Sequence, residues 1–270
     1  MFKKAPIANI TAIQTTSVTA SLRQPIGALI GPDIGALLDA KCAKPSPTVD
    51  KSREQLINRI AAVFSSRWHQ GYVRGKLKYD PVFGDVIDWV RKCPVSEPLL
   101  DVGCGLGLLS HWLRARDIDT PILAIDPDFR KIEAARAAAI RAGLCNVEIK
   151  QAGALDDFGL RFGGIFLLDV LHYLPPPDRD KFLSEAASSL PAGGVVYIRN
   201  GLRDGSWRHT ATRVEEWFVR FNGWIRTRGF ALPTQSEISR HFPEDLFGRA
   251  ITPLWGRTPF NSFRLAFVKR

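Results

Sequence analysis

The chain has 270 residues, of which 45 % are hydrophobic, and a net charge of +10. This size suits one large domain with additions, or at most two, with a sizeable buried core. No run approaches the roughly 20 apolar residues that a membrane-spanning helix needs, and no apolar leader with a cleavage site follows the N-terminus, so we expect a cytoplasmic protein. The 4 cysteines form no CxxC pair, which fits free thiols and argues against a zinc site.

The positive charge is concentrated in the flanks. Residues 93–200 carry a net charge of −3, whereas residues 51–92 and 201–270 carry +5 and +6. Basic flanks attract nucleic acid, an anionic membrane surface or an acidic protein, although a solvated surface explains them equally well.

The N-terminal third divides into two parts. Residues 1–50 have little charge and end in KPSPTVD, which predicts a poorly ordered arm closed by a linker. Residues 51–92 are predicted to be helical and to form a lid over the ligand pocket. Apolar spacing favours a helix over 53–64, and Pro81 in a first turn favours another up to Arg91. The basic and aromatic residues 65–80 between them contain two glycines and are assigned no element.

A different pattern begins at Pro98. Five short apolar runs predict strands, at 98–103, 121–126, 146–152, 164–170 and 194–200. Helical stretches lie between them at 107–116, 128–142 and 178–190. Continuous apolar strands separated by helices indicate a parallel sheet covered on both faces, which is a doubly wound α/β fold.

The C-terminal part departs from this alternation. Residues 207–229 are basic, rich in tryptophan and helical in pattern, and residues 234–242 predict a short helix in which Thr234 or Ser236 begins a capping box. Two apolar runs joined across RTPF predict an antiparallel strand pair. We therefore expect a core over 93–270 with a helical insertion at about 203–230.

The sequence LLDVGCGLG places Gly103, Gly105 and Gly107 between a predicted strand and a predicted helix. Glycines there let the backbone bend tightly and lie close to a nucleotide-like ligand, and we call residues 103–107 the glycine loop. Its GxGxG spacing differs from the GxGxxG of dinucleotide-binding loops, and Asp101 beside it suits a cationic amine better than a diphosphate. Asp126 ends the next strand, where an acid accepts hydrogen bonds from ribose hydroxyls or else caps the following helix.

The combination of LLDVGCGLG, ILAIDPD, IFLLDVLHYLP and LPAGGVVYIRN resembles the class I S-adenosylmethionine-dependent methyltransferases over roughly residues 95–200. The resemblance implies a Rossmann-like sheet of seven strands, mostly parallel with the last strand antiparallel. It also implies S-adenosylmethionine as the cofactor.

The resemblance further implies roles for individual residues. Asp101 and the three glycines would hold the methionine part of the cofactor, Asp126 the ribose, and Pro127 would lie beside the adenine. The acid that the family often places after the next strand is missing here, and Ala154 and Leu155 would supply backbone and apolar contacts instead. Asp169 matches the acid after the fourth strand, near the site of methyl transfer.

His172 follows Asp169 by three residues, at the edge of the sheet where open α/β folds bind ligands. It is a candidate base for an acidic acceptor, and a hydrogen-bonded turn histidine is an equally good interpretation. Aromatic and basic residues of the rim and flanks either wall the substrate pocket or hold helices to the core. The candidate substrate contacts are Tyr72, Tyr173, Trp207 and Arg208.

The leading interpretation is methyl transfer to an oxygen or carbon atom of a small-molecule or carrier-bound aryl or acyl acceptor. An acidic carrier protein is the partner that the basic flanks would favour. Segments 71–83 and 255–262 are similar to methyltransferases associated with aryl polyene biosynthesis, which implies a phenolic acceptor.

Three other interpretations remain. Basic flanks and aromatic residues favour an RNA methyltransferase, but no recognisable RNA-binding module is present, so nucleic acid is the less favoured partner. DVLHY also differs from the Asp/Asn-Pro-Pro-Tyr/Phe of DNA amino-methyltransferases. An intact glycine loop argues against a non-catalytic cofactor-binding protein, and the GxGxG spacing argues against a nicotinamide oxidoreductase.

Overall fold

The computed structural model describes residues 53–94, 96–156, 161–208, 210, 231–256 and 259–270. The predicted arm over 1–50 and most of the predicted helix over 207–229 lie outside these ranges. The described residues build a seven-stranded sheet with helices on both faces, which confirms the predicted Rossmann-like α/β fold. Within the described ranges, no helix is long and apolar enough to cross a membrane.

Three helices precede the sheet: α1 (Arg53–Ala62), α2 (Arg67–Tyr79) and α3 (Val82–Val90). Helix α2 fills most of the stretch 65–80, to which the sequence pattern assigned no element. Ser66 caps it by accepting a hydrogen bond from the backbone N–H of His69. Its buried Val73 and Leu77 join the apolar cluster that includes α1. Burial of this stripe outweighs the two helical glycines, which cost about 1 kcal/mol each relative to alanine.

The first half of the sheet region is β1 (Leu99–Val102), α4 (Leu108–Arg114), β2 (Ile122–Asp126), α5 (Phe129–Ala142) and β3 (Val147–Gln151). The second half is β4 (Gly164–Leu168), a 3-10 turn (Leu171–Tyr173), α6 (Pro176–Ser189), β5 (Val195–Gly201), α7 (Gln235–Ser239), β6 (Phe247–Pro253) and β7 (Ser262–Lys269). Each predicted strand and helix of the described core is found within a few residues of its predicted bounds.

Two local features sharpen the predicted boundaries. Pro176 and Pro177 lie in the first turn of α6, where the missing N–H groups would have no intrahelical acceptor, so this helix begins two residues before its predicted start. Thr234 caps α7, and its side chain and that of Glu237 exchange hydrogen bonds with each other's backbone N–H groups. The capping box is therefore confirmed, with Thr234 rather than Ser236 as the cap.

The strands lie in the order β3-β2-β1-β4-β5-β7-β6, and β7 runs antiparallel to both of its neighbours. The predicted antiparallel pair of β6 and β7 is confirmed. The chain winds outward from β1 to β3 and then returns to place β4 on the other side of β1. This reversal opens a crevice at the carboxyl ends of β1 and β4, where open α/β sheets bind ligands.

Apolar clusters on the two faces hold the sheet in place. Alternate strand residues contribute to opposite clusters, as the pleat requires: Leu99 lies in the cluster under α1 to α5, and Leu100 in the cluster under α6 and α7. The phenol of Tyr197, on β5, is fully buried and donates a hydrogen bond of 2.8 Å to Asp85 of α3. This hydrogen bond joins α3 to the sheet.

Candidate functional site

The glycine loop joins β1 to α4, and Gly103, Gly105 and Gly107 have φ angles of 69°, 56° and 71°. This left-handed region disfavours residues with a Cβ. A Cβ on Gly103 would also lie 2.5 Å from Cγ2 of Val170. A Cβ on Gly105 would meet no described atom within 4 Å, so this part of the loop faces open space.

Asp126, at the end of β2, ties the glycine loop to the sheet. Its Oδ2 accepts a hydrogen bond of 3.0 Å from the N–H of Gly105, and its Oδ1 accepts one of 2.8 Å from the N–H of Asp128. The cap of α5 is Asp128, which accepts from the N–H of Arg130 at 3.0 Å. Asp128, and not Asp126, therefore caps this helix.

Asp101 lies beneath the glycine loop and is 2 % exposed. Its Oδ2 has no hydrogen-bond partner among the described residues. Burial and the neighbouring charge of Asp126 raise the pKa of Asp101 to about 7. A buried carboxyl group with an unused oxygen is suited to a cationic ligand.

A cavity of about 1080 Å³ opens over the glycine loop at the carboxyl ends of β1, β2 and β4. It brings together residues from most of the predicted site. The predicted residues that line it are Asp101, Gly103, Gly105, Asp126, Pro127, Ala154, Asp169, His172, Tyr173 and Tyr72.

The other four predicted residues are not among those that line this cavity. Gly107 caps α4, and a Cβ there would lie 3.6 Å from that of Ala135, so it serves the turn and its packing. Leu155 packs against the cluster under α6 and α7. The guanidinium of Arg208 lies 4.8 Å from the ring centroid of Trp207 and 4.4 Å from that of Trp255.

His172 lies in the 3-10 turn after β4 and is 4 % exposed. Its Nδ1 is 2.9 Å from Oδ1 of Asn200, at the end of β5. The amide of Asn200 donates through Nδ2 to the carbonyl of Gly201 at 2.7 Å, which turns Oδ1 toward the imidazole. Nδ1 therefore carries the proton and donates a hydrogen bond to Oδ1 of Asn200, and Nε2 carries the lone pair.

Two basic and two acidic side chains form a network in the cavity wall that the sequence pattern did not predict. Nζ of Lys76 lies 2.7 Å from Oδ2 of Asp80 and 3.2 Å from Oδ2 of Asp169. Arg199 contacts the same two carboxylates, at 3.3 Å in the case of Asp80. Burial alone would raise the pKa of Asp80, but Lys76 and Arg199 together hold it below its ordinary value.

Helix α2 turns an aromatic face toward the cavity. Trp68, Tyr72, Gly75 and Tyr79 are spaced by three or four residues, which places them on one side of the helix, and all four line the cavity. The rings of Trp68 and Tyr72 are stacked, with centroids 5.7 Å apart and planes 3° from parallel. We call these four residues the α2 aromatic face.

Comparison with known proteins supplies a family for the central region. A family model described as "Methyltransferase domain" matches residues 99–194. Methyltransferase GfsG of Streptomyces halstedii is 27 % identical over 193 residues, which are 68 % of this chain and 67 % of that protein. A ubiquinone biosynthesis O-methyltransferase of Brucella anthropi is 28 % identical over 164 residues, 56 % of this chain and 63 % of that one.

A solved structure shares the fold. The O-methyltransferase NcsB1 from neocarzinostatin biosynthesis, in complex with S-adenosylmethionine and 2-hydroxy-5-methyl naphthoic acid, has a TM-score of 0.52 and 20 % identity, covering 73 % of this chain and 55 % of that one. The chain spans as little as 24 % of the length of the curated relatives that it matches.

Proposed function

We propose that this chain, which belongs to the class I S-adenosylmethionine-dependent methyltransferases, transfers a methyl group to a phenolic oxygen or a ring carbon of an aryl acceptor, either free or bound to a carrier. One observation carries the proposal. His172, held by Asn200 in the tautomer that leaves Nε2 basic, lines the same cavity as the glycine loop.

The cavity residues fit S-adenosylmethionine. Asp101, with an unpartnered buried oxygen, would hold the cationic amine, and the open space over Gly105 allows close approach to the backbone. Each oxygen of Asp126 accepts one backbone N–H and retains capacity for a ribose hydroxyl. Pro127 and Ala154 would flank the adenine. When bound, the cofactor supplies a sulfonium methyl group whose sulfur departs with the bonding electron pair.

His172 would prepare the acceptor for this displacement. Its Nε2 is buried in this structure, so the acceptor would have to displace neighbouring side chains to reach it. There Nε2 would take the proton from the phenol hydroxyl, and the oxygen would gain the electron density that forms the new bond to carbon. A neutral imidazole suits this role because one ring nitrogen donates a hydrogen bond while the other accepts a proton. The remaining task of the chain is to hold the nucleophile in line, which the cavity walls do by packing.

Two observations support an aryl acceptor. Aromatic side chains of α2, together with Tyr173, line the cavity around His172. Two proteins similar to this chain also support it: one is an O-methyltransferase of ubiquinone biosynthesis, and the other, NcsB1, is an O-methyltransferase whose structure contains 2-hydroxy-5-methyl naphthoic acid.

The charge of α2 supports a carrier-bound acceptor. This helix contains Arg67, Arg74, Lys76 and Lys78 and no acidic residue, and it forms one wall of the cavity. An acidic acyl carrier protein would be steered to such a surface and its tethered aryl group delivered to the cavity. RNA is the alternative ligand for the same charge, and its binding would depend strongly on salt.

The direct test is incubation with methyl-labelled S-adenosylmethionine and a panel of phenolic acids, aryl thioesters and RNA, with products identified by mass spectrometry. We expect label in the aryl compounds and a loss of turnover of about 10²–10⁴-fold in His172→Gln. The affinity of this variant for S-adenosylhomocysteine should match that of the wild type. Undiminished turnover would leave His172 a turn residue, and label in RNA alone would contradict the aryl acceptor.

A further inference from the structure

Helix α2 has two glycines in its interior, Gly71 and Gly75, although glycine in a helix is destabilising relative to alanine. Neither has a positive φ, and a Cβ on either would meet no described atom within 4 Å. Turn geometry and close packing by the described residues therefore do not account for glycine at either position.

The two glycines differ in what they face. Gly71 is exposed and is not among the residues that line the cavity, whereas Gly75 is half-buried and lines it. Tyr72 lies about one turn before Gly75 and Tyr79 about one turn after it, both on the α2 aromatic face. Because a Cβ on Gly75 would meet no described atom within 4 Å, the surface of α2 between Tyr72 and Tyr79 is open at this point, and we call this opening the recess. Such a recess suits a flat ring, because aromatic rings pack in offset-stacked or edge-to-face pairs.

The recess borders the edge of the sheet that holds His172. The residue after Gly75 is Lys76, whose Nζ lies 3.2 Å from Oδ2 of Asp169. Asp169 precedes His172 by three residues, at the end of β4. Gly75, Asp169 and His172 line the same cavity, so a ring in the recess would share that space with His172.

We infer that Gly75 is a specificity-determining residue, because the aromatic ring of the acceptor lies against it and the recess limits the size of that ring. The inference rests on the proposed function, since it names the ring subsite of the same cavity. A side chain at this position fills the recess, whereas the same change at Gly71 leaves the recess open.

Calorimetry on the full chain saturated with S-adenosylhomocysteine tests this without requiring turnover. The probes are 4-hydroxycinnamic acid, with one ring, and 3-hydroxy-2-naphthoic acid, with two fused rings. We expect both to bind the wild type, Gly75→Leu to bind each at least about tenfold more weakly, and Gly75→Ala to discriminate against the larger probe. Gly71→Leu and Gly71→Ala are the matched controls and should stay within about twofold of wild type, because they lie on the same helix away from the cavity.

Thermal unfolding shows whether protein atoms already fill the recess. Gly75→Ala should raise the melting temperature as Gly71→Ala does, because alanine is the better helix former at both positions. A lower melting temperature in Gly75→Ala alone would overturn the inference. So would unchanged ring binding in Gly75→Leu, or the failure of both probes to bind the wild type. Ring binding that depends on Gly75, without methyl transfer to any aryl compound, would instead contradict the proposed function.

Discussion

Lys76 of α2 lies 3.2 Å from Asp169 at the end of β4, so one charge pair joins the helix that walls the cavity to the edge that holds His172. Asp169 has a φ of 62°, which is rare for a residue with a Cβ, and its backbone N–H donates to the carbonyl of Arg199 at 2.8 Å. Arg199 also contacts the carboxylate of Asp169. The network therefore fixes both the position of α2 and the backbone just before the 3-10 turn.

Replacing Lys76 with methionine should loosen this connection. Of the two basic residues, only Arg199 would then contact Asp80 and Asp169, and we expect the free energy of unfolding to fall by about 1.5–3 kcal/mol, the range for hydrogen bonds to charged groups. Urea denaturation measures this. Lys78→Met is the matched control, because its ammonium lies 3.9 Å from the exposed Glu54 and should contribute less than about 1 kcal/mol. Equal effects of the two changes would contradict a structural role for the network.

The raised pKa of Asp101 should make cofactor binding depend on pH. An ionised carboxylate attracts the amine of the cofactor, and the pKa of Asp101 is about 7 in the free protein. Affinity for S-adenosylhomocysteine should therefore rise about tenfold between about pH 6 and pH 8, as the ionised fraction grows. The free energy of unfolding should change in the opposite direction. Because the folded protein favours the neutral form of Asp101, the stability that this group contributes is present at low pH and is lost as pH rises through 7. Calorimetry at several pH values checks the affinity, and Asp101→Asn should abolish its rise.

The sequence predicts what depends on neighbours in the chain. An apolar run followed by glycines identifies a strand, a turn and a helix, which is why β1, the glycine loop and α4 are found as expected. The family resemblance implies a cofactor role for Gly107, which in the structure packs near α5 and is not among the residues that line the cavity. The pattern alone does not distinguish a glycine that a ligand requires from one that a turn requires.

The missed parts of the site depend on contacts between distant residues. Lys76 and Asp169 are 93 residues apart, and no local spacing signals their pairing. Arg199 offers one signal, a charged residue within an otherwise apolar run, because such a residue needs partners when the strand is buried. Helix α2 was missed because Gly71 and Gly75 resemble helix breakers, and only packing against α1 shows that they are tolerated.

Alanine at two positions of the glycine loop should separate folding from ligand binding. Gly103→Ala adds a clash with Val170 to the cost of a positive φ, and should lower the free energy of unfolding by more than about 2 kcal/mol. Gly105→Ala meets no clash, so only the positive φ lowers its free energy of unfolding, by about 1–2 kcal/mol, but the new methyl group lies in the cavity. In urea denaturation Gly103→Ala should therefore lose more stability than Gly105→Ala. In calorimetry on the folded variants, Gly105→Ala should lose more affinity for S-adenosylhomocysteine than Gly103→Ala.

Asn200 acts through His172 and is a positioning residue. Asn200→Ala removes the acceptor for Nδ1, and we expect kcat to fall by about tenfold or more, up to the 10²–10⁴-fold that a general base contributes in full. Asn200→Asp keeps an acceptor, and its charge favours the protonated imidazole, so activity should return with the acidic limb of the pH–rate profile moved to higher pH. A merely structural role would lower stability in both variants and leave the profile in place.

The exposed basic residues of α2 should govern carrier binding. Reversal of Arg67, Arg74 and Lys78 to glutamate replaces attraction by repulsion on the exposed surface of α2, without changing Lys76 or the α2 aromatic face. Each exposed pair contributes about 0–1 kcal/mol, so the triple change should weaken binding of an acidic acyl carrier protein by at least about tenfold. Raising the salt concentration should weaken wild-type binding in the same direction, because exposed charges are screened over about 10 Å at 0.1 M salt.

A second triple variant separates this surface from net charge. Arg91 and Lys92 follow α3 and Lys181 lies on α6, so these exposed residues are outside α2, and reversing them changes the total charge by the same amount. Carrier affinity should then stay within about threefold of the wild type, measured by interferometry at two salt concentrations. Equal losses in both triple variants would indicate attraction by the whole protein rather than by α2. Carrier binding that responds to neither the α2 reversal nor salt would contradict an electrostatic docking surface, and leave a free aryl compound as the acceptor.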